Sequence, residues 1–326
     1  MPAGVMPAGD AMVPWPQFTE RQIRAARGAK QAVDAARPYA WLVESECGPQ
    51  GQVADVATVF LTNRECPFCC LMCDLWRHTT DTRVPPGAIP QQIDFALAHL
   101  PATRHIKLYN SGSFFDQQAI PPADYAAIAT RVRSFDTVIV ENHPRLCGPR
   151  CLQFQDLIGG QLEVALGLET VHEQVLTRLN KQMTLEDFER AVRFLRDQAI
   201  AVRAFILLRP PFLDEQSGIE WAVRSLQFAF DVGVQCCVVI PTRAGNGILD
   251  QLARAGWFAP PGLPAMEQVL EAGLALQRGR VFMDLWDWEQ FSACAACGPL
   301  RRDRLQEMNL SQRVVPQVAC ARCART

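Results

Sequence analysis

Four cysteines fall within eight positions of RECPFCCLMCDLW, residues 64–76, directly after the apolar run VATVFLT. Thiols this close suit a metal centre, a redox pair or packing as small apolar groups. Three thiolates on an iron–sulfur cluster leave one iron open to a small molecule, whereas four close the cluster for electron transfer. Cys66, Cys70 and Cys73 have C-x3-C-x2-C spacing, and Cys66, Cys69 and Cys73 have C-x2-C-x3-C. Either trio could wrap a cubane, and spacing alone leaves both open. A zinc knuckle or a set of buried free thiols is the plainer alternative.

A second set lies near the end, in FSACAACG (291–298) and VACARC (318–323). Cys294, Cys297, Cys320 and Cys323 make two C-x2-C pairs separated by 22 residues, close to a zinc-ribbon pattern and equally suited to an auxiliary iron–sulfur cluster. Cys147 and Cys151 in RLCGPRC could complete that site, but two isolated cysteines more often are not ligands. Cys236 and Cys237 lie inside an apolar run, and Cys47 beside another, as core residues do. Among the histidines, His143 stands near Glu141 at a strand end, and His78 lies close behind the first cysteine loop.

Clustered cysteines, 13 in all, argue against a disulfide framework and for metal ligation, because no secretory signal precedes them. No window holds the roughly 18 consecutive apolar residues of a membrane span. The formal net charge is −2, so no overall basic field grips a nucleic-acid backbone. These features describe a soluble, cytoplasmic protein. Residues 1–40 read as a loose leader, with a duplicated MPAG, followed by a helix; 41–289 as the main domain; and 290–326 as a cysteine-rich metal-binding appendage.

Positioning these groups falls to short apolar runs alternating with amphipathic stretches. Strands are expected at 53–62, 105–111, 137–142, 162–169, 202–209 and 234–242, with 281–286 as a seventh. In TLEDFERAVRFLRDQAI, Leu185, Phe188, Val192 and Leu195 share a helix face, and Thr184 with Asp187 makes a capping box. SGIEWAVRSLQFAF repeats the plan, with Ser217 and Glu220 as its box. Continuous apolar strands alternating with helices imply a parallel sheet covered by helices, either open and doubly wound or a partial barrel. Polar segments gather at the C-terminal strand ends, where both architectures bind ligands.

The C-x3-C-x2-C spacing, placed directly after the first strand, resembles the radical S-adenosylmethionine superfamily. NSGSFFD, ENHPRLC, GLETVHEQVLTRLNKQMTLEDF and VRAFILLRPPF together resemble the branch of the archaeosine synthase radical subunit and, more loosely, the elongator catalytic-subunit group. The resemblance covers roughly residues 40 to 320. It implies an α/β partial (β/α)6 TIM barrel with a small cysteine-rich appendage. It also implies that Cys66, Cys70 and Cys73 hold a 4Fe–4S cluster whose fourth iron takes the amino and carboxylate groups of S-adenosylmethionine, with Cys69 packed away from it. Ser111, Gly112 and Ser113 then stand where relatives carry a Gly-Gly-Glu motif that contacts the cofactor. Glu141, Glu169 and Arg209 end strands three, four and five facing it. Asn180 and Lys181 read as the end of a short helix and its turn, and GNG (245–247) as a tight turn rather than a phosphate cradle. The C-terminal cysteines take a second 4Fe–4S cluster or zinc, with iron–sulfur favoured because relatives have a similar end.

The expected activity is reductive cleavage of S-adenosylmethionine to a 5′-deoxyadenosyl radical that abstracts hydrogen from a substrate. By resemblance that substrate is a modified nucleobase or nucleoside, free or in tRNA, undergoing carbon–nitrogen cleavage or rearrangement. A reductant such as flavodoxin or ferredoxin is implied, and no membrane. Sulfur insertion from the auxiliary cluster is a second enzymatic reading. A non-catalytic iron–sulfur or zinc protein binding RNA or a partner is the reading of another class.

Overall fold

The computed structural model of the chain describes residues 14–323; the duplicated MPAG lies outside them. The strands are β1 (Ala40–Cys47), β2 (Val53–Phe60), β3 (His105–Tyr109), β4 (Thr137–Asn142), β5 (Gln161–Glu169), β6 (Ala201–Leu208), β7 (Cys236–Pro241) and β8 (Arg280–Met283). They form one curled sheet in sequence order, with β2 to β8 parallel and β1 antiparallel to β2. Six strands and the seventh at 281–286 match the sequence reading, and the sheet is the partial barrel that the resemblance implied. The addition is β1. Its residues, AWLVESEC, mix charge into the run because one face looks into the barrel, so it lacks the continuous apolar signal of the others.

Parallel neighbours need crossovers, and helices supply them, covering the outer face of the sheet. Phe188, Val192 and Leu195 of helix Leu185–Asp197 are buried in one core with Leu166 and Ile206 of the sheet, and the Thr184–Asp187 capping box forms as expected. The next crossover helix, Glu215–Asp231, begins earlier than its sequence suggested. Asp214 is its N-cap, its carboxylate accepting from the Ser217 N–H at 2.7 Å, so the Ser217–Glu220 box is internal to the helix.

The curl is left open between β1 and β8, and helix Gly298–Ser311 packs against both strands. Leu305 and Met308 of this helix join the barrel core. Its side chains also mimic a strand. Asn309 accepts from Met283 N and donates to Met283 O, both at 2.8 Å, and Gln312 pairs likewise with the backbone of Val281 at 2.8 and 2.9 Å.

Inside the barrel, charged side chains from non-adjacent strands meet and seal the end nearest the strand N-termini. Lys107 on β3 reaches Glu44 and Glu46 on β1, each at 2.7 Å, and Arg203 on β6 bonds both Glu46 and Glu163 of β5. Arg280 on β8 lies 3.2 Å from Glu163. Burial opposes ionisation of Glu46, but Arg203 and Lys107 together hold its carboxyl far below the usual range. Arg203 is only 1% exposed, so removing it takes the nearest cation from Glu46 and Glu163 and leaves them to Lys107 and Arg280. Arg203→Ala is expected to lose about 3–5 kcal/mol in urea unfolding; a loss below about 1 kcal/mol would show that the floor is wet and its charges solvated.

Candidate active site

The cysteine loop crosses the opposite end of the barrel, and two loops grip its backbone. Leu71 N–H donates to Leu179 O at 2.8 Å, the Asn180 amide donates to Cys69 O at 2.7 Å, and the Asn246 amide donates to Leu71 O at 2.8 Å. Asn180 and Asn246 therefore do more than end a helix and fill a turn. The GNG segment is a tight turn, as expected: the Gly245 and Gly247 N–H groups are taken by Asp250 at 2.9 and 2.7 Å, leaving neither for a phosphate. On the outer side, Glu65 is clamped by Arg24, Arg27 and Lys30 at 2.7, 2.7 and 2.9 Å.

Cys69 turns outward. It packs with Ile23, Leu71, Val175 and Leu179, with the Arg27 guanidinium 3.5 Å from its sulfur. Cys66, Cys70 and Cys73 turn the other way and feel one another's charge and that of Lys181. Burial pushes all three thiols up to about 12. They are protonated at neutral pH, so a metal must displace a proton from each. Iron incorporation should therefore fall steeply as reconstitution pH drops from about 8.5 to 6.5, counted as iron per chain; a flat profile would mean that the thiols are already ionised.

The SGS segment after β3 lies against this loop. A Cβ on Gly112 would stand 3.1 Å from the Cys66 Cβ, so only glycine fits without displacing it. Ser111 is left-handed at φ 53°, and its hydroxyl shares a 2.9 Å hydrogen bond with Tyr39, whose ring stacks on His78 at 4.6 Å. Ser113 Oγ accepts from the His143 N–H at 3.1 Å. Glu141 is turned toward the same segment, accepting from Asn110 N–H at 2.6 Å and Gly112 N–H at 3.2 Å. The Asn110 amide is fully buried with neither its oxygen nor its nitrogen partnered among the described residues, as befits a site shaped for a bound polar group.

Burial raises Glu141 to about 6, although three backbone N–H groups pull the other way. A carboxyl raised in the fold contributes stability fully below its ordinary value of 4.5, and that contribution disappears as pH rises through about 6. Glu141→Gln should remove this slope, read as the melting temperature of the metal-free chain between pH 5 and 7. His143 is a different case. Its ring stacks on Phe68 of the cysteine loop at 3.6 Å, Nε2 contacts Lys181 O at 2.9 Å, and Nδ1 accepts from Arg145 N–H at 3.2 Å. The bonds require a neutral ring protonated on Nε2, and burial with nearby Lys181 lowers its pKa to about 3. It spaces the loop and does not titrate near neutrality.

Glu169 ends β5 at φ 67°, buried, with Lys181 Nζ 2.6 Å from its carboxylate. A Cβ on Gly167 would collide with both groups, which explains that glycine. Burial works against the Lys181 charge, but Glu169 and Cys70 raise its pKa well above normal. Lys181 is the residue that sequence reasoning underrated: it is a buried cation beside the three thiols, and RLNKQM carries no local sign of it. Arg209 is turned to the rim, donating to Glu215 at 3.1 Å and to Pro260 O at 2.8 Å, with its buried Nε unpartnered among the described residues. Between floor and loop, the lumen is lined by rings from three strands and from Trp286 just after β8: Phe205 to Tyr109 at 6.1 Å, Tyr109 to Phe60 at 6.2 Å and Phe60 to Trp286 at 5.8 Å.

The C-terminal cysteines also meet. The sulfurs of Cys294, Cys297, Cys320 and Cys323 all lie within 4.8 Å of one another, and this group could hold a metal. Backbone N–H groups of Cys297 and Ala296 lower Cys294 to about 6, and those of Cys323 and Arg322 lower Cys320, as in knuckles that present ready thiolates. Buried Arg304 anchors the second pair's approach, donating to Val315 O and Pro316 O while pairing with Glu267 and Glu271. Cys147 and Cys151 are not part of this group.

No family model matches the chain. It is 20% identical over 323 residues to an uncharacterized protein of Methanocaldococcus jannaschii, covering 89% of this chain and 86% of that one. It is 27% identical over 180 residues to archaeosine synthase subunit beta of Methanosarcina acetivorans, covering 52% of this chain and 51% of that subunit. The Thermococcus kodakarensis subunit is 26% identical over 210 residues, with 62% and 65% covered. The chain thus spans between half and two thirds of the length of these two subunits. Among solved structures, the archaeal Elp3 of Methanocaldococcus infernus superposes with a TM-score of 0.49 at 15% identity, covering 72% of this chain and 60% of that one. No described helix is long and apolar enough to cross a membrane. The branch that the motifs resemble is borne out: this chain is similar to archaeosine synthase subunit beta.

Proposed function

We propose that the chain is a radical S-adenosylmethionine enzyme, with Cys66, Cys70 and Cys73 holding a 4Fe–4S cluster and leaving one iron for the cofactor. The observation that supports this is the division of the four clustered thiols: Cys66, Cys70 and Cys73 interact with one another and with Lys181, whereas Cys69 packs in a separate apolar cluster with Ile23, Val175 and Leu179. When bound, the cluster and S-adenosylmethionine supply a 5′-deoxyadenosyl radical after one-electron reduction. The chain's own residues do the positioning. Glu141 holds the 110–112 backbone against the cysteine loop, Ser111, Gly112 and Ser113 border the cofactor, and Glu169 with Lys181 sets the charge beside Cys70. Arg209 shapes the rim, and the ionic floor keeps water from entering below.

The substrate in this reading is a modified nucleobase or nucleoside, free or in tRNA, which undergoes carbon–nitrogen cleavage or rearrangement after hydrogen abstraction. Two observations support it: the similarity to archaeosine synthase subunit beta, and a lumen lined with rings suited to stacking on a base. A flavodoxin or ferredoxin in the cytoplasm would supply the electron. The C-terminal cysteines suit one zinc ion. A tetrahedral ion with bonds of about 2.3 Å sets its sulfurs about 3.8 Å apart, while a cubane spreads its ligands over four separate metal atoms. The observed limit of 4.8 Å favours the single ion, which also counts against sulfur insertion from an auxiliary cluster.

Anaerobically reconstituted, dithionite-reduced protein should convert S-adenosylmethionine to methionine and 5′-deoxyadenosine, with yield rising when the right nucleoside or tRNA is added. Reduced, iron-loaded protein that leaves the cofactor intact with every candidate would favour the non-catalytic metal protein instead.

A further inference from the structure

Residues 285–288, directly after β8, read LWDW, and the three apolar side chains part company. Leu285 and Trp288 pack against the barrel core, whereas Trp286 turns out and stays 51% exposed. Its backbone is nonetheless pinned. The Trp286 N–H donates to the Asp284 carboxylate at 3.1 Å, and the Arg243 guanidinium donates to Trp286 O at 2.6 Å and to the same carboxylate at 2.7 Å. Asp287 then takes a left-handed φ of 50° before the one-turn helix Trp288–Phe291, and Arg243 lies over the buried Phe291 ring at 5.4 Å. An exposed ring alone signifies little; what sets this one apart is what it touches. Among the described residues its one ring contact is an edge-on approach to Phe60, at 5.8 Å and 72°. Phe60 in turn meets Tyr109 at 6.2 Å and Tyr39 at 5.6 Å, and the Tyr39 hydroxyl is bonded to that of Ser111 at 2.9 Å. Rings thus run without a break from solvent into the lumen and to the segment proposed to border the cofactor. An edge-to-face pair covers the face of one ring and only the edge of the other, so a planar group can still lie on an open face.

We propose that Trp286 is a substrate-recognition residue whose indole stacks on a nucleobase at the barrel mouth, beside Phe60. The inference rests on the nucleobase reading of the substrate and deepens it by assigning the contact that admits the base. Stacking suits a modified base, because every base has a π face whatever its substituents. The braced turn holds the indole in place before the ligand arrives, so little side-chain freedom is lost on binding. The base comes either as a free nucleoside or as one residue of an RNA strand; both present the same face to the ring.

The test uses the full, metal-loaded chain in its oxidised state without S-adenosylmethionine, so no radical chemistry enters the readout. The probes are 2-aminopurine riboside, whose emission is quenched when its base stacks, and a single-stranded RNA heptamer carrying the same base at its centre. Saturable quenching is expected, and the probe that binds more tightly identifies the source of the base. Trp286→Ala should weaken that binding by about 5- to 150-fold, and Trp286→Phe, which keeps a ring, should restore most of it. Trp286→Leu keeps apolar bulk without a π face and should lose binding as the alanine variant does; it decides alone if that variant does not fold by circular dichroism. No quenching with either probe overturns the proposal, as does unchanged binding in the alanine or leucine variant. A fall in sedimenting mass with base binding unchanged would assign the indole to a second copy of the chain and overturn it too. Cofactor cleavage tests the radical reading and probe binding tests this one, so the two fail separately.

Discussion

Replacing Cys66, Cys70 or Cys73 singly by serine is expected to abolish reductive cleavage of S-adenosylmethionine to the detection limit, with loss of the cluster's visible absorbance. Serine offers a harder, far less acidic ligand, and in the proposed cluster site each of the three thiols would anchor one iron. Cys69→Ser should keep cleavage within about twofold and cost about 1 kcal/mol of stability, because its sulfur only packs beside Ile23 and Arg27. The contrast between neighbouring residues is the discriminating measurement. Equal loss at all four positions would mean that the loop holds its metal through a different trio.

The second large effect concerns metal content. A chain in which Cys66, Cys70 and Cys73 are all alanine should purify with one zinc and essentially no iron. Removing that zinc with a strong chelator should lower the melting temperature by roughly 5–10 °C, since in the proposed site the metal would tie Cys320 and Cys323 to the start of the barrel-closing helix. About four irons per chain in the triple variant would instead identify an auxiliary cluster and reopen sulfur transfer.

Much of the barrel was legible because parallel strands buried on both faces read as continuous apolar runs, and the helices between them carry 3.6-residue periodicity. β1 was not legible, for the opposite reason: Glu44 and Glu46 serve the ionic floor, and their charge hides a strand. The Asp214 cap was missed because Ser217 and Glu220 form an equally good pattern three residues later, and only the chain's path from β6 decides between them. At the site, the cysteine spacings and the SGS segment announce themselves locally. Lys181, Asn180 and Asn246 do not, because each acts through a contact with a loop more than 100 residues away or with a strand end that topology alone brings near. Residues beyond 290 looked coreless, since helix Gly298–Ser311 contributes few apolar side chains and binds β8 through amides.

Those amides bear on solubility. A bare strand margin is a template for a second copy, and Asn309 and Gln312 occupy the β8 margin as a fixed dummy partner. The helix that carries them starts directly after Cys297, so in the proposed zinc site the metal would steady the start of the very segment that blocks intermolecular pairing. On that proposal, chelator-treated protein should aggregate before it unfolds.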